Sequence, residues 1–120
     1  MTARLPEENL LPVARDHVAK FHADVVAEVA KAVASDKLVV VGMAQNPFVR
    51  RARKALEGAG LTYTYLEYGS YLSGWKPRLA LKLWSGFPTF PQVYVKGQLF
   101  GGAQDVEKAV ADGSFQKLLG

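Results

Sequence analysis

The chain predicts an α/β fold in which one mixed, four-stranded sheet lies between helices, with an extra helix at the N-terminus. Three observations carry that reading. A valine-rich stretch, KLVVVGM at 37–43, is apolar at nearly every position, as a strand covered on both faces must be. It leads through Asn46 and Pro47 into a cationic, helix-patterned segment, so the next strand is reached by a helical crossover and lies parallel to the first. Further on, PQVYVKGQLFGG at 91–102 sets two short apolar runs about Lys96 and Gly97, the pattern of an antiparallel hairpin.

Taken in order, Val18, Phe21, Val25, Val29 and Val33 recur every three or four positions, which predicts one amphipathic helix from Pro12 to about Ala34, ended by Ser35 and Asp36. The strand at 37–43 follows. Asn46 suits an N-cap and Pro47 the first helical position, where its missing N–H costs nothing. Gly58 and Gly60 end that helix, and LTYTYLEY at 61–68 alternates as a strand does. GSYLSG supplies a loop before a helix over roughly 76–84 that contains Leu79, Leu83 and Trp84. After the hairpin come a helix from about Asp105 to Ala111 and a short C-terminal turn or helix. No linker, repeat or low-complexity stretch interrupts this order.

Composition excludes several chemistries. The 120 residues are 49% hydrophobic, enough for a single packed core. There is no cysteine, so disulfides, thiol catalysis, zinc–thiolate sites and protein-ligated iron–sulfur clusters are ruled out. Fifteen Lys and Arg against eleven Asp and Glu give a net charge of +4, which reads as ordinary solvated charge rather than a nucleic-acid surface. No apolar run approaches the roughly 18 residues of a membrane span, and MTARLPEENLLPVARD lacks a signal-like apolar core. A cytoplasmic protein without a membrane partner is expected. His17 and His22, five apart, do not share a helix face and read as surface histidines; no metal site is expected. RRARK at 50–54 reads as a solvated helix face. Trp75, Trp84, Tyr68 and Tyr71 read as core or boundary packing, with an aromatic rim for a protein or peptide as the alternative.

The element order, together with WSGFPTFPQVYVKGQLFGGAQDV at 84–106, resembles the glutaredoxin family of the thioredoxin fold, and especially its monothiol branch. Threonine, one residue, proline, then an apolar strand and paired glycines is the combination that carries the resemblance. It spans about Val25 to Leu119, which makes 1–24 an N-terminal helical extension and 25–120 a glutaredoxin-like domain. The extension is expected to bury its stripe on its own domain, with a homodimer contact as the rival.

In that family the segment matching NPFV carries Cys-Pro-aromatic-Cys or Cys-Gly-Phe-Ser, so the resemblance puts Asn46 in place of the nucleophile and Val49 in place of the second thiol position. A helix N-terminus lowers a thiol's pKa by stabilising the thiolate; an amide has no accessible anion to stabilise. Thiol–disulfide oxidoreductase activity is therefore not expected. Asn46 has two readings: a cap accepting from the N–H of Phe48 or Val49, which we favour, or an amide donating to the sulfur of glutathione.

The resemblance further implies a glutathione groove built from Asn46, Arg78, Thr89, Phe90, Pro91, Gly102, Gln104 and Asp105. Thr89 and Phe90 would pair their backbone with the tripeptide's cysteine, Pro91 would be cis, and Gly101 and Gly102 would let the chain pass close to the ligand. Gln104 and Asp105 would receive the γ-glutamyl carboxylate and amine; a plain hairpin exit followed by a capped helix explains the same residues. Arg78 is either a clamp for the glycine carboxylate or a solvated helix residue. The resemblance puts Met43 where the family's anchoring lysine is expected, or leaves that lysine without a counterpart if the monothiol branch's longer loop is compared, and one lost charge-assisted hydrogen bond of about 1.5–3 kcal/mol weakens binding roughly ten- to a hundredfold. Weak glutathione binding, no covalent cofactor and no iron–sulfur cluster are expected. The leading functional reading is a non-redox module that binds glutathione or a protein client. The alternatives are a glutathione-transferase-like enzyme using Asn46 to orient the ligand's thiol, and a structural or assembly module with a relic groove.

Overall fold

The computed structural model of the chain describes residue 9, residues 11–70 and residues 72–120. Residues 1–8 and 10 of the expected extension and Tyr71 of the expected aromatic rim lie outside the described residues, as does the side chain of Val18. The elements run α1 (Pro12–Lys20), α2 (Ala23–Ser35), β1 (Leu38–Gly42), α3 (Pro47–Gly58), β2 (Thr64–Glu67), α4 (Trp75–Ser85), β3 (Gln92–Val95), β4 (Gln98–Gly101), α5 (Ala103–Asp112) and α6 (Ser114–Leu119). The sheet order is β2-β1-β3-β4, with β1 parallel to β2 and the other pairs antiparallel.

β1 explains why its sequence is apolar throughout. Successive side chains of a strand point to opposite faces. Leu38 and Val40 pack on one side with Leu56, Val93, Val106 and Phe115, while Val39 and Val41 pack on the other with Val29, Val33, Leu81 and Tyr94. All five β1 residues are buried. The hairpin turns through Lys96 at φ 50° and Gly97 at φ 83°, two left-handed positions in succession, as a type I′ turn requires. Pairing slips on β4, where Val93 faces Gly101 but Tyr94 faces Leu99; Phe100 becomes the extra residue of a bulge, its ring edge-on to Phe115 at 4.9 Å.

One expectation is corrected. The single helix predicted from Pro12 to Ala34 is two, because Phe21 is extended (ψ 103°) and His22 is left-handed (φ 46°, ψ 42°). The apolar spacing at 18, 21 and 25 continues across the break, so periodicity could not reveal it. Beyond the break, Val29 and Val33 are buried against β1 and α4 with Val25 beside them, so this part of the stripe packs on its own domain. Leu11 and Val13, by contrast, stay exposed at 75% and 68%.

A smaller feature sets the position of α3. A Cβ at Gly42 would lie 2.7 Å from Val49 Cγ1 and 3.1 Å from Tyr65 Cε1. The missing side chain lets the first turn of α3 sit directly against the end of β1.

Candidate functional site

At the head of α3, Asn46 has extended backbone (φ −94°, ψ 119°) and its Oδ1 accepts from the N–H of Phe48 at 2.8 Å and of Val49 at 3.0 Å. Pro47 occupies the next position without wasting a donor. Asn46 is thus the helix cap, which leaves Nδ2 as its remaining polar group. The guanidinium of Arg51 spans from α3 to Glu107 on α5, with Nη2–Oε1 2.6 Å and Nε–Oε2 3.2 Å, and lies 5.7 Å from the Phe48 ring centroid. Arg53 stacks on Tyr65 at 3.8 Å while its Nε donates to the Tyr63 hydroxyl at 3.0 Å. The RRARK run is therefore more than the solvated face expected, since two of its arginines tie α3 to neighbouring elements.

Beside Phe48 runs a groove of about 320 Å³, lined by Phe87, Thr89, Phe90 and Pro91 on one side and by Gly102, Ala103, Gln104 and Asp105 on the other. The Phe90–Pro91 peptide is cis. Gln92, directly after it, is fully buried; its Nε2 donates to the carbonyl of Phe87 at 3.1 Å and its Oε1 accepts from the Tyr94 hydroxyl at 2.8 Å. Both ends of its amide are used, so the loop from Phe87 to Pro91 is held from behind. Across the groove, the Asp105 carboxylate accepts from the Gly102 N–H at 2.9 Å and closes the first turn of α5.

Six of the eight residues proposed from sequence therefore line one cavity. Asn46 lines a neighbouring pocket of about 270 Å³ instead, with Met43, Gln45, Arg50, Arg53 and Lys54 among its walls. Arg78 lines neither cavity. It is buried, and its Nη1 donates to the carbonyls of Tyr68 at 3.0 Å and Ser73 at 2.8 Å, gripping the loop before α4. The solvated helix residue expected from sequence is therefore corrected, because the side chain is buried against this loop. Gln92 was not anticipated. Its signal was present, a lone amide inside an otherwise apolar strand, but its partners come from the preceding loop and could not be read locally.

No family model matches the chain. Over 94 residues it is 47% identical to a glutaredoxin-like protein of Dictyostelium discoideum, a match that covers 78% of this chain and 76% of that protein. The chain belongs to the glutaredoxin family. A probable monothiol glutaredoxin of Legionella pneumophila is 34% identical over 77 residues, covering 64% of this chain and 83% of its own length. Among solved structures, oxidized glutaredoxin 2 from Chlamydomonas reinhardtii matches with a TM-score of 0.70 at 31% identity over 81% of this chain and 92% of that one. A buckwheat glutaredoxin–glutathione complex matches with a TM-score of 0.70 at 26% identity over 81% and 88%.

In this glutaredoxin two features of the elements behind the groove give direct tests. A Cβ at Gly101, whose φ is 152°, would overlap the Asp105 carboxylate. Gly101→Ala is expected to displace that carboxylate from the Gly102 N–H and to cost about 1–2 kcal/mol, measured by urea unfolding. The second concerns Tyr94, whose phenol is pushed up to about 12 by burial, slightly offset by a hydrogen bond from Ser85. Its folded pKa lies above the ordinary value of about 10, so the neutral phenol's stabilisation is complete below about pH 10 and is lost as pH rises toward 12. Unfolding measured at pH 9 and pH 11.5 should show a smaller decline in Tyr94→Phe than in the parent chain.

Proposed function

We propose that this glutaredoxin is a binding module without thiol chemistry, whose groove takes reduced glutathione or the glutathionyl group of a client protein. The observation that carries the reading is a groove bounded by the Thr89–Pro91 loop and the head of α5, in a chain with no cysteine. An extended tripeptide can pair with the backbone of Thr89 and Phe90, a mode that makes little demand on side chains. The first backbone N–H groups of α5 suit a carboxylate, and Asp105 beside them suits an ammonium. The buckwheat relative in complex with glutathione supports the same ligand. Affinity is expected to be low, because Met43 offers no charge and the Arg78 guanidinium is bonded to backbone carbonyls.

The transferase-type alternative is less well supported. Asn46 keeps Nδ2 as a donor, but it lines the adjacent pocket rather than the groove. A heteronuclear NMR titration with reduced glutathione tests the proposal. Signals of Thr89, Phe90, Gly102 and Gln104 are expected to move together and saturate; no movement up to about 10 mM, an interaction weaker than roughly 3 kcal/mol, would leave the groove a relic.

A further inference from the structure

The net charge of +4 is not spread evenly along the chain. No Asp or Glu occurs from 68 to 104, whereas Lys76, Arg78, Lys82 and Lys96 all do; outside that stretch eleven basic residues balance eleven acidic ones. Arg78 Nη1 is spent on backbone carbonyls, so the remaining positive charge of α4 belongs to Lys76, which is exposed, and Lys82, which is half-buried with its Nζ 5.8 Å from the Phe90 ring centroid.

These lysines flank an apolar row. Trp75, Leu79 and Leu83 stand four residues apart on α4 and are exposed at 61%, 38% and 51%, while Arg78, Ala80 and Leu81 form the buried side of the same helix. At roughly 100° per residue, Lys82 falls on one flank of the row and Lys76 on the other. Just before the helix, Leu72 is exposed at 96% on a loop pinned by the Ser70–Ser73 bridge. Trp84 takes a different course, with its ring centroid 6.0 Å from that of Tyr94.

We propose that Leu72 and this face of α4 dock in the plane of a bilayer surface rich in anionic lipid. An apolar row with tryptophan at its end and lysine on both sides is suited to a lipid interface. The apolar side chains enter the acyl boundary, the indole sits at headgroup depth, and the lysine stems lie along the apolar surface with their ammonium groups among lipid phosphates and carboxylates. The stretch from 68 to 104 adds no carboxylate of its own to repel such a membrane, and Glu28 of the neighbouring α2 is engaged by the Tyr68 hydroxyl. A second copy is a poor occupant, because face-to-face packing would gather four lysines of α4 with no acidic residue from that helix to offset them. A partner protein would need a trough matched to the protruding side chains and acidic on both margins, whereas a bilayer adapts its shape. The want of a spanning run predicts no membrane partner, and among the described residues no helix is long and apolar enough to cross a bilayer. Docking in the interface needs no span.

The test uses the full chain, without glutathione, and sedimentation with vesicles of phosphatidylcholine alone or with about three parts in ten of phosphatidylserine. Binding is expected to the mixed vesicles only, to fall with added salt, and to weaken about tenfold in Lys76→Glu and several-fold or more in Leu72→Ser. Leu72 is almost wholly exposed, so its replacement leaves the core intact. In Trp84→Phe, where Trp75 is the only indole, emission should shift to the blue on mixed vesicles. Failure to sediment, equal binding to neutral vesicles, or unchanged binding by both Leu72→Ser and Lys76→Glu would overturn the proposal. So would a purified protein that binds through these residues while vesicles of either composition do not.

Discussion

Asn46→Cys is expected to turn a chain without a thiol into one that takes up a single glutathionyl group from oxidised glutathione. The backbone of α3 supplies the reason. In the native chain the N–H groups of Phe48 and Val49 point at Asn46 Oδ1, at 2.8 and 3.0 Å; with cysteine they would face sulfur. Pro47 to Arg50 bring no carboxylate to the first turn, and Arg50, Arg51, Arg53 and Lys54 follow on the same helix. Such a thiol should ionise below the ordinary value of about 8.5. Its thiolate would attack one sulfur of the disulfide, forming the protein–glutathione bond and releasing the other half as a thiolate that takes a proton from solvent. Intact mass should show one adduct in the variant and none in the parent. The pH midpoint of alkylation should lie at least about one unit below 8.5. A midpoint at or above 8.5 would mean that the head of α3 no longer poises an anion. Loss of the amide cap is expected to cost about 1 kcal/mol, small enough for the variant to remain folded.

The second large effect concerns Arg78. Arg78→Met is expected to destabilise the protein by about 2–4 kcal/mol and to lower its thermal midpoint by about 10 °C or more, because the carbonyls of Tyr68 and Ser73 lose two part-buried hydrogen bonds from a charged donor on a buried side chain. The surroundings leave little room for repair. A Cβ at Gly69 would lie 2.6 Å from Arg78 Nη1, so backbone packs directly against the guanidinium. Arg78→Lys should recover part of the loss, since an ammonium donates but lacks the planar fork. Urea and thermal unfolding of the two variants provide the measurement. A change below about 0.5 kcal/mol in Arg78→Met, as for an exposed helix residue, would contradict the role assigned to this side chain.

Several parts of the candidate site were readable because they are local. Asn46 and Pro47 signal a helix start through properties of the two residues themselves, and the cap has the partners expected of it. Thr89, Phe90, Pro91, Gly102, Gln104 and Asp105 came from the resemblance to the glutaredoxin family, whose motif covers a loop, a hairpin and a helix start that follow one another in the chain. Gln92 and Arg78 were different. Each is defined by backbone carbonyls on a neighbouring loop, and a polar residue gives the same local signal whether its partner is water or a buried carbonyl. The two arginines of the RRARK run that bind Glu107 and stack on Tyr65 were hidden for the same reason.

By itself, the amino-acid order determined the strand that must be buried on both faces, the helix that begins at Asn46, the tight hairpin at Lys96–Gly97 and, through the lack of any cysteine, the chemistry this glutaredoxin cannot perform. These follow from composition, periodicity and the conformational limits of single residues. Only the tertiary structure decided that the first helix breaks at Phe21–His22, that Arg78 faces inward, that Asn46 and the groove line separate cavities, and that Trp75, Leu79 and Leu83 stay exposed. An amphipathic pattern shows that a helix has two faces, but which of them is covered depends on what the rest of the chain brings against it.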